Sequence, residues 1–194
     1  MTSASWDARY AASDSVWGAA PNRWVEQEVA DLPPGRAVDL ACGEGRNAAW
    51  LAGRGWDVTG VDYSAVAIDK ARTNTADLPV TWVCADVVTW EPGPSSFDLV
   101  LVVYLHLIAA ERTAALAHAA AALAPGGHLV VVAHDLANLT DGVGGPQDAT
   151  VLPTAADVIA SLDGLDVLRA GTVEREVAGA PRPAIDLLVH AVRR

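Results

Sequence analysis

The segment Val38-Asp39-Leu40-Ala41-Cys42-Gly43-Glu44-Gly45-Arg46-Asn47-Ala48 holds the densest chemistry in the chain. A buried-strand pattern carrying one carboxylate runs into two glycines spaced two apart, and a helix start follows. Glycines in such a turn let backbone approach a ligand closely, and the amides of the next helix point at it. Two further carboxylates sit where a nucleoside would meet them. Asp62 closes the run Val58-Thr59-Gly60-Val61, where it can accept from two ribose hydroxyls. Asp86, in Cys84-Ala85-Asp86-Val87, can accept from an exocyclic adenine amine. A third group is suited to orienting or deprotonating a nucleophile. It comprises Tyr104 and His106, in Val103-Tyr104-Leu105-His106-Leu107, and His134, just before Asp135. An unperturbed histidine titrates near pH 6.5 and so serves as a base at neutral pH. His118, His128 and His190 read as structural.

These residues need elements to position them. Strands are expected at residues 37–41, 56–61, 80–84, 97–103 and 128–133. Helices are expected at 46–54, at 65–73 with Ser64 as N-cap, and at 110–123, ended by Pro125-Gly126-Gly127. Strands alternating with helices give right-handed crossovers and a parallel sheet covered on both faces, a doubly wound α/β fold. The pattern breaks after a helix at 154–162. Runs 167–177 and 184–192 follow with only Ala180-Pro181-Arg182-Pro183 between them, so they pair as an antiparallel hairpin at the sheet edge. An exposed edge there suits a second copy of the chain, although no residue pattern specifies an oligomer. Ligands of such sheets sit at the carboxyl ends of the strands, beside strand one. The glycine turn, Asp62, Asp86, Tyr104, His106 and His134 all fall at those ends.

Residues 1–35 form a separate arm ahead of a domain spanning 36–194. Trp6, Tyr10 and Trp17 lie in a polar, irregular context, and one helix is expected within 22–32. The arm reads as a lid over the pocket, with those three aromatics against the substrate. Residues 138–150 form a Gly-rich loop, long enough to be a substrate-side flap.

Two ligands compete for the glycine turn. Gly43, Gly45 and Ala48 satisfy the loose G-x-G-x-x-[GA] pattern of dinucleotide binding. S-adenosylmethionine is the other; it has no phosphate and needs a cradle for its amino-acid end and a carboxylate for its ribose. Five segments in order resemble the class I S-adenosylmethionine-dependent methyltransferases. They are the glycine motif 38–45, the acidic strand-two motif 58–64, the adenine loop 85–87, strand four at 97–100, and the turn 123–129 into strand five. Ala41 departs from that family's usual glycine, and tighter packing rather than lost binding is expected. Trp6-Asp7-Ala8-Arg9-Tyr10, Trp17, Pro21-Asn22 and Cys42-Gly43-Glu44-Gly45-Arg46-Asn47 resemble the subgroup containing tellurite-resistance and thiopurine- or thiol-type enzymes.

The resemblance implies a Rossmann-like, mostly parallel seven-stranded sheet with a C-terminal antiparallel hairpin. It implies S-adenosylmethionine held by Asp39, Ala41, Cys42, Gly43, Gly45 and Arg46 around the methionine part. Asp62 takes the ribose, with Tyr63, Asp86, Val87 and Val103 toward the adenine side. The acceptor is a small molecule: a thiol, a metalloid oxyanion or a heteroaromatic N or O. It lies among Trp6, Tyr10, Trp17, Tyr104, His106 and His134. A nicotinamide-dependent oxidoreductase shares Gly43, Gly45 and Asp62 but gives Asp86 and the hairpin no role. A protein that binds the cofactor without turnover is the third reading.

Composition narrows the partners. The 194 residues are 52% apolar, enough for one buried core, and carry a net charge of −11. No basic stripe is present for nucleic acid, an acidic surface suits anionic lipid poorly, and no apolar run has membrane-spanning length. The N-terminal ten residues lack the apolar core of a secretory signal. Cys42 and Cys84 have no zinc spacing and read as reduced, buried thiols of a cytoplasmic protein. No metal is expected. The acidic surface favours a small, neutral or cationic acceptor, and an anionic one such as tellurite requires Arg46 or another local cation to offset the field.

Overall fold

Residues 2–194 are described by a computed structural model. The apolar runs form β1 (Arg36–Leu40), β2 (Asp57–Asp62), β3 (Val80–Cys84), β4 (Phe97–Val103) and β5 (Leu123–His134), all parallel. β6 (Leu165–Arg175) and β7 (Ala184–Arg193) complete one seven-stranded sheet in the order β3-β2-β1-β4-β5-β7-β6. β7 runs antiparallel between β5 and β6, so the hairpin adds two strands to that edge. From β1 the chain steps outward to β2 and β3, then returns across the sheet to β4. The order therefore reverses between β1 and β4, and the strand ends there open a crevice.

Alternate residues of the same strands feed two cores. On one face, Val58, Leu99, Leu101, Val130 and Leu188 pack against α2 (Arg23–Val29) and α3 (Arg46–Gly53). α4 (Ala65–Asn74) runs beside β2 and β3. On the other face, Val38, Val100, Val102, Val131 and Leu187 meet Leu116 and Ala119 of α5 (Ala109–Ala122) and Val158 of α7 (Ala155–Ile159). The alanines of α5 let it lie close to the sheet. Ser64 caps α4 through the Ala67 amide, and Asn22 caps α2 through the Trp24 amide, each worth about 1 kcal/mol.

Four expectations are corrected. Residues 3–11 are not irregular but form α1 (Ser3–Ala11), opened by a capping box between Thr2 and Ser5. Its apolar stripe is too thin to read, because only Tyr10 is buried. β5 starts five residues early and carries Pro125-Gly126-Gly127 inside it, the irregularity being absorbed by a shift in its pairing with β4. The 138–150 segment is partly helical, with α6 (Asn138–Asp141) and a 3-10 turn at Ala149–Val151. Cys84 is exposed; only Cys42 is buried. The return from β3 to β4 has no helix, and Val87 and Trp90 cover that part of the core instead. Among the described residues no helix is long and apolar enough to cross a membrane.

Candidate active site

Past β1 the backbone turns through left-handed conformations at Ala41 (φ 58°), Gly43 (φ 55°) and Gly45 (φ 81°). Trp82 of β3 explains two glycines. A Cβ at Gly45 would stand 2.3 Å from its ring, and one at Gly60 2.2 Å. The turn is tied to β2 through Asp62. Its Oδ2 accepts from the Gly43 amide and its Oδ1 from the Ser64 amide, both at 2.9 Å. Burial raises the Asp62 pKa, and those two amides oppose the rise. Asp39 is more isolated. It is buried, and among the described residues its Oδ2 has no hydrogen-bond partner. Burial pushes its pKa up to about 7, with Arg46 pulling the other way. Cys42 is buried, and burial raises its thiol pKa. Asp86 is exposed and spends Oδ1 on the Val88 amide at 2.9 Å, while Val87 beside it is buried. Tyr63 is half-buried, and Val103 is buried at the end of β4.

The arm lies across this turn. Tyr10 is buried, and a Cβ on Gly43 would fall 2.7 Å from its hydroxyl. That hydroxyl accepts from Trp17 Nε1 at 3.2 Å, and Trp6 stacks on Tyr10 with ring centres 5.6 Å apart. The Arg9 guanidinium lies 4.9 Å from the Trp6 ring and 4.8 Å from the Trp17 ring. Three polar contacts fasten the arm. Asp7 Oδ1 accepts from Ser64 Oγ at 2.5 Å, at the start of α4. Glu44 Oε2 accepts from the Val16 amide at 2.8 Å. Lys70 Nζ donates to the Tyr10 carbonyl at 2.6 Å and lies 3.3 Å from Glu44 Oε1. Sequence reasoning missed Asp7, Glu44 and Lys70, since nothing in a charge's local context shows a partner dozens of residues away. Arg46 is half-buried and reaches the Trp17 carbonyl at 3.4 Å.

A second cluster gathers at the ends of β4, β5, β6 and β7. Tyr104 sits at φ 56° just past β4, a conformation costly for a bulky residue. Its hydroxyl donates to Asp186 Oδ2 at 2.8 Å, and Arg175 Nε donates to the same oxygen at 2.8 Å. Trp24 Nε1 adds a third donor at 3.2 Å. His134 lies opposite Asp186 in the β5–β7 register, with Nδ1 3.2 Å from Asp186 Oδ1. The contact is out of line for a hydrogen bond, and neither atom has a hydrogen-bond partner among the described residues. Burial alone would raise the Asp186 pKa, but His134, Arg175 and Tyr104 outweigh it and the pKa is lowered. Burial and the nearby Asp186 push the Tyr104 hydroxyl up to about 12.

His106 stacks on His134 with ring centres 5.5 Å apart, and its Nε2 accepts the His134 amide at 3.4 Å. Burial, with His134 second, drops its pKa to about 4, so it is neutral near pH 7. The 138–150 segment covers His134. A Cβ on Gly145 would stand 2.6 Å from that ring. Asn138 anchors the segment, accepting from the Ile185 amide at 2.7 Å and donating to the Gly144 carbonyl at 2.9 Å. Asp186 and Arg175 were also missed. The available signal was one charge inside the otherwise apolar run Ala184-Ile185-Asp186-Leu187-Leu188-Val189.

All three sequence-predicted groups thus meet at the carboxyl ends of the parallel strands. A surface hollow of about 340 Å³ beside Ala117, Ser161, Asp163 and Arg193 lies at the opposite end of the sheet and shares none of these residues. Among the described residues, no cluster of three or more His, Cys, Asp or Glu could hold a metal ion.

Residues 37–127 match a family model described as a methyltransferase domain. An uncharacterized methyltransferase of Mycobacterium tuberculosis is 38% identical over 107 residues, which cover 55% of this chain and 54% of that protein. The chain thus matches only about half the length of that relative. A probable thiol methyltransferase of Arabidopsis thaliana is 26% identical over 96% of this chain and 84% of its own. Among solved structures, the N-methyltransferase NodS of Bradyrhizobium japonicum in complex with S-adenosyl-L-homocysteine aligns over 100% of this chain and 99% of its own. That alignment has a TM-score of 0.77 at 19% identity, a likeness of fold.

Proposed function

We propose that this chain, which matches a methyltransferase-domain model over residues 37–127, moves the methyl group of S-adenosylmethionine onto a small soft nucleophile, foremost a thiol. One observation carries the cofactor assignment. Asp39 is a buried carboxylate beside the glycine turn, with one oxygen unpartnered among the described residues. Such a group is costly unless a cation meets it. The ammonium of S-adenosylmethionine supplies that cation. A dinucleotide would instead bring the negative charge of its pyrophosphate to the same turn, which Asp39 disfavours.

In this reading the backbone from Ala41 to Gly45 and the Arg46 guanidinium surround the methionine part. Asp62, held by two amides, takes the ribose hydroxyls. Tyr63, Val87 and Val103 bound the adenine side, and Asp86 keeps Oδ2 for the adenine amine. The cofactor, when bound, supplies an electrophilic methyl group on a sulfonium. The protein's work is position, charge and exclusion of water.

Residues 1–35 act as the lid, with Trp6, Tyr10 and Trp17 keeping water from the methyl group. His134 accepts the proton of an incoming thiol, and Asp186 stabilises the imidazolium that results. His106, neutral and engaged with the His134 amide, shapes the pocket beside Tyr104. A free thiol has a pKa near 8.5, so little base assistance suffices at neutral pH. The likeness to a probable thiol methyltransferase over nearly the whole chain supports sulfur as the acceptor atom.

The test is a melt followed by an acceptor screen. S-adenosylhomocysteine at about 100 times its Kd stabilises by about 2.7 kcal/mol, and NADH leaves the melt unmoved. With S-adenosylmethionine and 2-mercaptoethanol, mass spectrometry detects the S-methyl product. A shift with NADH alone sinks the cofactor assignment. Binding without turnover of any thiol sinks the acceptor assignment.

A further inference from the structure

We infer that Arg175 makes the acceptor pocket an anion site, so that the preferred acceptor carries a carboxylate beside its nucleophilic atom. This rests on the methyl-transfer reading and adds to it the class of the acceptor. Arg175 comes from β6, and its side chain is 28% exposed. Nε alone is committed, to Asp186 Oδ2 and to the Tyr104 hydroxyl at 3.1 Å. The guanidinium carbon lies over the Tyr104 ring, 5.8 Å from its centre. Among the described residues neither Nη group has a hydrogen-bond partner, so the outer edge of a positioned guanidinium is left for a ligand. Arg46, assigned to the cofactor's methionine part, adds positive charge nearby. Its only hydrogen bond is the long one to the Trp17 carbonyl, and no carboxylate lies within ion-pair distance among the described residues. Burial lowers its pKa, and Tyr104 and Arg175 both act on its charge.

Asp186 divides one negative charge among Arg175, Tyr104, Trp24 and His134. Little of it is left for the outer Nη edge of Arg175, which keeps its attraction for an anion. Arginine suits the task because its paired Nη donors match the two oxygens of a carboxylate. The rest of the protein is acidic, which confines the preference to small acceptors reaching this pocket.

Calorimetry on the protein loaded with S-adenosylhomocysteine tests this without turnover. The probes are (methylthio)acetate and 2-(methylthio)ethanol, product-like thioethers that differ in the carboxylate. The acid is expected to bind about tenfold or more tighter than the alcohol. Arg175→Gln should reduce that ratio to about two, with S-adenosylhomocysteine affinity kept as the control for folding. Arg175→Lys, retaining charge without the fork, should fall between. Equal binding of the two probes to the unaltered protein overturns the inference, as does an undiminished preference in Arg175→Gln. A preserved acid preference with no thiol turned over supports the anion site and refutes the thiol assignment. Should S-adenosylhomocysteine fail to bind, the cofactor reading falls, and the same two probes on the unloaded protein still decide the anion site.

Discussion

Replacing Asp39 by Asn should stabilise the cofactor-free protein at alkaline pH while weakening cofactor binding. In the fold the Asp39 carboxyl has its pKa raised from 3.8 to about 7, chiefly by burial. The folded state therefore holds the proton more tightly than the unfolded chain. Stability from this group is fully present below the unfolded value and is lost as pH rises through the folded one. The full displacement, at about 1.4 kcal/mol per pH unit, is worth about 4 kcal/mol. Roughly 3 kcal/mol of that falls between pH 5 and pH 8. For a chain of this length that is on the order of 6 to 10 °C in Tm.

The assay is a pair of thermal melts at pH 5 and pH 8, on both proteins, with and without S-adenosylhomocysteine. Taking the difference between the proteins removes other titrations, including His106, whose lowered pKa gives the opposite slope. The unaltered protein should lose several degrees more than Asp39→Asn on going to pH 8. Saturating ligand should flatten its curve, because the ammonium then stabilises the charged carboxylate. In Asp39→Asn the ligand should bind about 10- to 100-fold more weakly, the range for losing one charge-assisted hydrogen bond. Identical pH slopes in the two proteins would show that Asp39 is not held uncomfortably in the fold. Affinity kept within about twofold would show that no cation meets it.

Other substitutions examine other parts of the argument. Gly60→Ala drives a Cβ into the Trp82 ring at 2.2 Å and should cost about 1–3 kcal/mol in a denaturant melt, with Trp82→Leu restoring part of it. Neutral stability in Gly60→Ala would contradict that packing. Ala41→Gly relieves a left-handed alanine at φ 58° and should stabilise by about 0.5 kcal/mol after the added chain entropy of glycine; a loss of stability would count against strain there. Lys70→Ala frees the Tyr10 carbonyl and should speed tryptic cleavage after Arg9 with little change in Tm, whereas an unchanged cleavage rate would remove Lys70 as a fastening of the arm. Asp186→Asn leaves Arg175 without its carboxylate and should destabilise by about 3 kcal/mol. In that variant kcat should fall about tenfold or more with S-adenosylhomocysteine affinity kept, and an unchanged kcat would deny that Asp186 acts through His134.

β1, β2, β4 and β5 were legible because they lie inside the sheet with both faces largely covered, and such strands must be written as apolar runs between breakers. β3, a partly exposed edge strand, was legible from its own Val-Thr-Trp-Val-Cys run. β3 and β4 matched the expected residues at both ends. The glycine turn and Asp62 were legible for a related reason: their job is local, so their spacing is written in one stretch of chain. The acceptor end was only half legible. Tyr104, His106 and His134 stood out as polar residues ending apolar strands, but their organiser did not. Asp186 meets Tyr104 across 82 residues of chain and Trp24 across 162. α1 escaped notice because its stability comes from a capping box and from contacts with α4, not from an apolar stripe.

The insertion of β7 between β5 and β6 has a consequence for the order in which this protein becomes competent during synthesis. Every group proposed for the cofactor's polar atoms lies within residues 39–86, in neighbouring strands and turns. The acceptor cluster instead waits for Arg175 and Asp186, which reach Tyr104 only when a late-synthesised strand slots into an inner position of the sheet. At about 5–20 residues per second, the ribosome needs several seconds to make the hundred residues between these events. A nascent chain thus holds every residue of the proposed nucleoside site before the residues proposed to select the acceptor have been translated.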